Sequence, residues 1–218
     1  MQNFLVASSV VDFDHRAVRG LSESLRQSGP AESYALRCFE WVKHCVQHSQ
    51  DCGSDVVSCS ASEVAMSRVG LCYAKSHLLV ALLRAGQIPA GFSYQRFATD
   101  SGGFCLHGLV SVFIESVGWH RIDPRGGEVG AAAKFAPPVE SLVYCPSAVG
   151  EMDIPEVFDE PLPVVVIALK RYSSMKEVLM HLPDYVLPNQ SLEPMARSST
   201  PRAGHESRRL SPWLTIKR

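Results

Sequence analysis

The stretch CYAKSHLLVALLRAG, residues 72–86, constrains the fold more than any other part of the chain. Leu78, Leu79, Val80, Leu82 and Leu83 fall on all sides of a helix, not on one stripe. A helix that is apolar nearly all round must be enclosed by other elements. The apolar run HLLVALL is far too short to span a bilayer, so protein must supply the enclosure. Gly86 stands where a helix end favours glycine. Cys72 is out of keeping with the packing residues around it. It opens the helix, where unpaired N–H groups and the positive end of the macrodipole favour a thiolate.

The rest of the chain supplies that enclosure in two kinds of element. FLVASSVV reads as a strand, followed by a helix with Asp14 as N-cap and Val18, Leu21 and Leu25 on its apolar face; SGP at 28–30 stops it. A second helix runs through SYALRCFEWVKHCVQHS, with Leu36, Phe39, Val42 and Val46 as its buried stripe. Ser60 and Glu63 form a capping-box pattern ahead of a short third helix. Beyond Gly86 the period changes. AGFSYQRFA, GFCLHGLVSVFIES and GWHRID are rich in aromatic and β-branched residues and read as antiparallel strands. A Gly-, Ala- and Pro-rich loop follows, then PVVVIAL as a strand and SSMKEVLMHL as a last helix. Helices first and strands afterwards predict an α+β domain over residues 1–187. Residues 188–218 have scattered prolines and no usable period. They carry six Arg/Lys against two Glu, a net charge of +4 that leaves −5 on the first 187 residues. They read as a basic, disordered tail.

Bulk properties exclude several classes. A hydrophobic content of 46% and a mean hydropathy of +0.02 suit a soluble globular protein. A net charge of −1 gives no electrostatic case for nucleic acid or a membrane surface as partner. The N-terminal stretch MQNFLVASSVVDFD lacks a basic n-region and does not read as a signal peptide, so a cytoplasmic location is expected. Seven cysteines, an odd number in a chain too large to need disulfide staples, fit a reducing compartment. Cys38, Cys45, Cys52 and Cys59 recur every seven residues, but metal-binding cysteines come in closer pairs. His44 and His48 have zinc spacing, yet HCVQH lacks a glutamate base and any third ligand. No metal or cofactor is expected.

A thiol nucleophile needs a base and a group to orient that base. His107, in FCLHGLVSVF, sits near the start of a strand beside the small Gly108, where an imidazole can reach a neighbouring helix end. Asp123, in GWHRIDPRG, ends the next strand ahead of Pro124. A hairpin turning about Glu115 would set Asp123 opposite His107; a turn nearer Gly118 slides it a few residues along.

The order Cys, His, Asp, with the cysteine opening a helix and the others on successive strands, resembles the transglutaminase-like superfamily. FEWVKHCVQHS, SASEVAMSRVGLCYAKSHLLVALLRAGQIPAG, FCLHGLVSVF and GWHRIDPRG look like its core in the expected order, over roughly residues 34 to 126. The resemblance implies a stand-alone bacterial domain with a papain-like α+β fold. It implies Cys72 as nucleophile, His107 as general base and acid, and Asp123 as the histidine's orienter. The thiolate would attack an amide or ester carbonyl of a peptide or protein substrate, and water or an amine would resolve the acyl-enzyme. Gln47 and Gln50 are positional candidates for a second oxyanion donor. No calcium-loop pattern is present.

Other residues carry open readings. By helical spacing His77 points away from the thiol face. Arg125 suits either a substrate carboxylate or the domain's acidic groups. Trp119 and Tyr73 suit either a cleft wall or core packing. Two further functions compete with a peptidase or amidase: acyl transfer like that of arylamine N-acetyltransferases, against which the Cys72 neighbourhood lacks the usual preceding arginine and glycine pair, and a non-catalytic binding module.

Overall fold

In the computed structural model, residues 1–185 are described, and the segment read as a tail lies outside them. A 3-10 turn, Gln2–Leu5, precedes α1 (Arg16–Leu25) and α2 (Ala31–Cys45). Then come β1 (Gln47–His48), α3 (Ser49–Cys52), α4 (Ala61–Ser67), β2 (Val69–Gly70) and α5 (Cys72–Ala85). β3 (Ala90–Ala98), β4 (Phe104–Ile114) and β5 (Gly118–Ile122) form an antiparallel sheet, joined by β6 (Met152–Asp153), in the order β5-β4-β3-β6. α6 (Pro163–Arg171) and α7 (Met175–Met180) complete the α+β domain.

α5 occupies the enclosed position its composition demands. It contacts α1, α2 and α4 on one side and β3 and β4 on the other. Leu78, Leu79, Leu82 and Leu83 are fully buried. Each contributes about 1.5–3 kcal/mol of apolar burial. Ser60 caps α4 with a complete capping box: its hydroxyl accepts from the Glu63 N–H, and Glu63 reaches back to the Ser60 N–H.

Four expectations are corrected. PVVVIAL is helical, in α6: Pro163 sits in its first turn, where a missing N–H costs nothing, and Val165, Ala168 and Leu169 make a buried i, i+3, i+4 stripe while Ile167 is exposed. FLVASSVV forms no strand, because its backbone groups are used locally. The Phe4 N–H donates to the Met1 carbonyl, the Val11 N–H donates to Ser8 Oγ, and the Val10 carbonyl accepts from the Ala61 N–H. His15, not Asp14, caps α1, accepting from the Ala17 N–H at 3.2 Å. Leu36 lies off the buried stripe of α2, which runs through Ala35, Cys38, Phe39 and Val42. Among the described residues no helix is long and apolar enough to cross a membrane.

Candidate active site

Two short strands and one long one hold the start of α5 in place. β1 and β2 pair in parallel, Gln47 with Val69 and His48 with Gly70, which ties the chain after α2 to the chain entering α5. The helix start has no side-chain cap and no acidic residue in its first turn, so its backbone N–H groups remain available around Cys72. β4 then approaches very closely. A Cβ on Gly108 would lie 3.1 Å from the Tyr73 ring and 3.2 Å from Tyr73 Cα, a contact that only glycine avoids. The Tyr73 hydroxyl donates to the Leu106 carbonyl, pinning the helix start to the strand.

This contact brings His107, the residue before Gly108, to the thiol. The strand pair runs Val110 with Ile122 through Ile114 with Gly118, so the turn falls at the later of the two expected positions. Extending that register by one residue sets Asp123 opposite Leu109, and His107 is the diagonal neighbour on the same face. His107 Nε2 meets Asp123 Oδ2 at 2.8 Å, with both side chains fully buried. Asp123 also accepts from the Arg125 N–H at 3.0 Å and the Val143 N–H at 3.3 Å. These partners outweigh burial and hold its carboxyl below the usual range. Burial by itself would depress the His107 imidazole, but the Asp123 carboxylate and the Cys72 side chain, which hydrogen-bonds the ring, raise it above the usual histidine value.

Around the three lies a polar support that local sequence does not announce. Arg125 is buried and grips Asp51 through two bonds, 2.8 and 2.9 Å, so it serves the acidic-partner reading. Lys75, one turn into α5, is fully buried and donates to the carbonyls of Val46 and Lys43 at the end of α2. Burial, together with the nearby Arg125, brings its amine down to about 7. His48 is buried against the same group, its Nδ1 3.8 Å from Asp51 Oδ1. Burial and the cations Arg125 and Lys75 hold it well below the usual histidine value. The Tyr144 ring packs edge-on to the His107 ring at 5.0 Å. Asp51 and Arg125 stand 74 residues apart, a pairing visible only in three dimensions.

The cavity at the thiol is small, about 10 Å³, room for about one water. It is lined by Cys72, His48, Gln50, Leu71, Leu106 and, from the C-terminal side, Leu179 and Leu182. Cys72 itself is 4% exposed. Of the two glutamines, Gln50 lines this cavity and Gln47 sits exposed on β1. A larger groove of about 400 Å³, lined by Glu32, Ile88, Phe113 and Glu115, contains none of the three residues. His77 turns away from the thiol, its Nδ1 2.7 Å from the Cys59 carbonyl. Trp119 packs on Phe4 and Phe113 instead of walling the cleft. His44 pairs with Glu40 on the exposed face of α2 while His48 lies beyond that helix, so the two share no helix face. Among the described residues, no cluster of three His, Cys, Asp or Glu side chains could hold a metal ion.

Solved structures resemble this chain in part. A candidate cysteine protease from Cytophaga hutchinsonii is 24% identical with a TM-score of 0.45, over 56% of this chain and 40% of that one. The periplasmic domain of TgpA from Pseudomonas aeruginosa is 20% identical with a TM-score of 0.42, over 56% and 45%. A TGase structure is 17% identical with a TM-score of 0.39, over 66% and 38%. The chain thus spans less than half the length of each. No curated protein matches the sequence. Residues 19–124, a span containing Cys72, His107 and Asp123, match the family model for the transglutaminase-like superfamily. Residues 19–124 of this α+β chain, just under half of its length, are therefore similar to the transglutaminase-like superfamily.

Proposed function

We propose that this protein is a cysteine hydrolase or acyltransferase that acts on a peptide or amide bond through a thioester on Cys72. The observation that carries this reading is the fully buried His107–Asp123 hydrogen bond of 2.8 Å, on a ring whose other side meets Cys72 at an uncapped helix start. An imidazole raised by a carboxylate and a thiol favours the pair in which the ring holds the proton and sulfur the charge.

The chemistry follows from that pair. The Cys72 sulfur adds to the substrate carbonyl carbon, and the oxygen takes up negative charge near the first-turn N–H groups of α5. The tetrahedral adduct collapses, the C–N bond breaks, and His107 gives its proton to the departing amine. Water or a second amine then loses a proton to His107 and displaces sulfur from the thioester as thiolate, regenerating the thiolate–imidazolium pair. Asp123 holds the ring in one tautomer throughout and balances its charge. All seven cysteines are unpaired, which supports a reducing compartment such as the cytoplasm. A papain-like binding module is the second reading, favoured by the 4% exposure of Cys72.

Turnover of a peptide mixture in heavy-oxygen water, with and without a primary amine, separates the two readings. The enzyme reading expects heavy oxygen in newly formed carboxylates, or a new amide with the amine, and neither in Cys72→Ala. Turnover that persists in Cys72→Ala, or none in the wild type, overturns it.

A further inference from the structure

The segment that shuts the thiol cavity is the chain's own. β5 pairs only with Val110–Ile114, which leaves the preceding half of β4 without a strand neighbour on that side. The N–H and C=O of one residue point to the same edge of a strand. At Leu106 the carbonyl accepts from the Tyr73 hydroxyl, and the N–H donates to the Pro183 carbonyl at 2.9 Å. The backbone at Pro183 therefore sits on the free edge of β4 at Leu106, beside Tyr73 and the start of α5. Leu179 and Leu182 reach into the lining of the cavity.

We propose that residues 179–185 form a strap that occupies the substrate cleft in the closed state, and that an extended peptide carrying apolar side chains takes its place on β4. This rests on Cys72 as the nucleophile. Pro183 shows the backbone bond such a peptide makes to the Leu106 N–H, and Leu182 shows the kind of side chain the cleft accepts. The attachment is suited to release. Among the described residues from Met175 to Tyr185, only Met175, Val178 and Pro183 are buried. The polar anchor is one partly exposed ion pair: Arg96 holds Asp184 through two 2.7 Å bonds while its guanidinium lies over the Phe104 ring. Segments held by so few buried side chains open at the low end of a protein's stability range.

The test is the rate at which iodoacetamide alkylates Cys72 in the full chain, followed by mass on the Cys72-containing peptide. Arg96→Ala and Asp184→Asn each loosen the anchor without touching the thiol, and each is expected to raise the rate about tenfold. A synthetic peptide of residues 179–185, added in trans, is expected to restore the slow rate where a scrambled peptide does not. Unchanged alkylation in both variants, or acceleration that the native peptide cannot reverse, overturns the proposal. The readout is access, not turnover. Faster alkylation without any amide turnover sinks the hydrolase reading alone, and turnover with unchanged alkylation sinks the strap alone.

Discussion

Asp123→Asn probes the oriented imidazole with almost no change of shape. Three donors converge on the carboxylate: His107 Nε2 and the Val143 N–H on Oδ2, and the Arg125 N–H on Oδ1. An asparagine has one acceptor oxygen and one NH2 donor, so one of these sites must face a donor. With the oxygen toward Arg125, the NH2 faces His107 and Val143. The ring must then accept on Nε2 and carry its proton on the side facing the thiol, where it cannot take another. With the oxygen toward His107, the Arg125 N–H is left unpaired in the interior. Either way one backbone N–H, at half-buried Val143 or buried Arg125, loses its partner, at about 1–3 kcal/mol of stability. The charge that raises His107 is also gone, and burial then favours the neutral ring. A thiol without an imidazolium beside it ionises near pH 8.5, so about 1% is reactive at pH 6.5. The assay is the pH profile of Cys72 alkylation from pH 5.5 to 9.5. Wild type is expected to hold its rate below pH 7, and Asp123→Asn to fall about 100-fold at pH 6.5 with a small difference at pH 9. Superimposed profiles would refute the reasoning.

Three further predictions test the surrounding structure. His77 is held down to about 4 by burial while an unfolded histidine titrates near 6.5, so the unfolded chain binds the proton first and stability falls as pH drops from 6.5 to 4, by about 3 kcal/mol. Urea melts should show this increment in wild type and not in His77→Gln; a stability difference between the two that does not change with pH counts against it. Asp51→Ala leaves the buried Arg125 guanidinium without its carboxylate and should cost about 3 kcal/mol, read as a shift in urea midpoint. Gly108→Ala forces β4 and the start of α5 apart and should cost about 1–3 kcal/mol, with Cys72 alkylation at pH 6.5 dropping further than stability accounts for. An alanine variant with wild-type alkylation would show that the close approach does not set the His107–Cys72 contact.

The elements legible in the sequence are those where one period has one physical meaning. α5 is apolar on every side and lies enclosed, and three β-rich segments separated by turn residues form β3, β4 and β5. Cys72, His107 and Asp123 were legible because a helix start and two neighbouring strand positions are local facts, and the structure brings the three together. PVVVIAL was not, because a seven-residue apolar run fits a strand or a buried helix equally, and Pro163 at the helix start decided it. Nor was FLVASSVV, since a strand needs an edge to pair with and its backbone found turns instead. The Asp51–Arg125–Lys75–His48 support and the closure by Leu179 and Leu182 depend on residues far apart in the chain, and no local pattern encodes such contacts.

The central claim is that Cys72 forms a covalent acyl intermediate. It is tested most directly by intact-mass analysis of the protein quenched in acid during reaction with an activated acyl ester, followed by peptide mapping. The account predicts one hydroxylamine-labile acyl group on Cys72, formed faster than any adduct on the exposed Cys45, Cys52 or Cys145 and absent from Cys72→Ala. Acylation of the exposed thiols at equal speed, or a Cys72 that stays unmodified while they react, would contradict it.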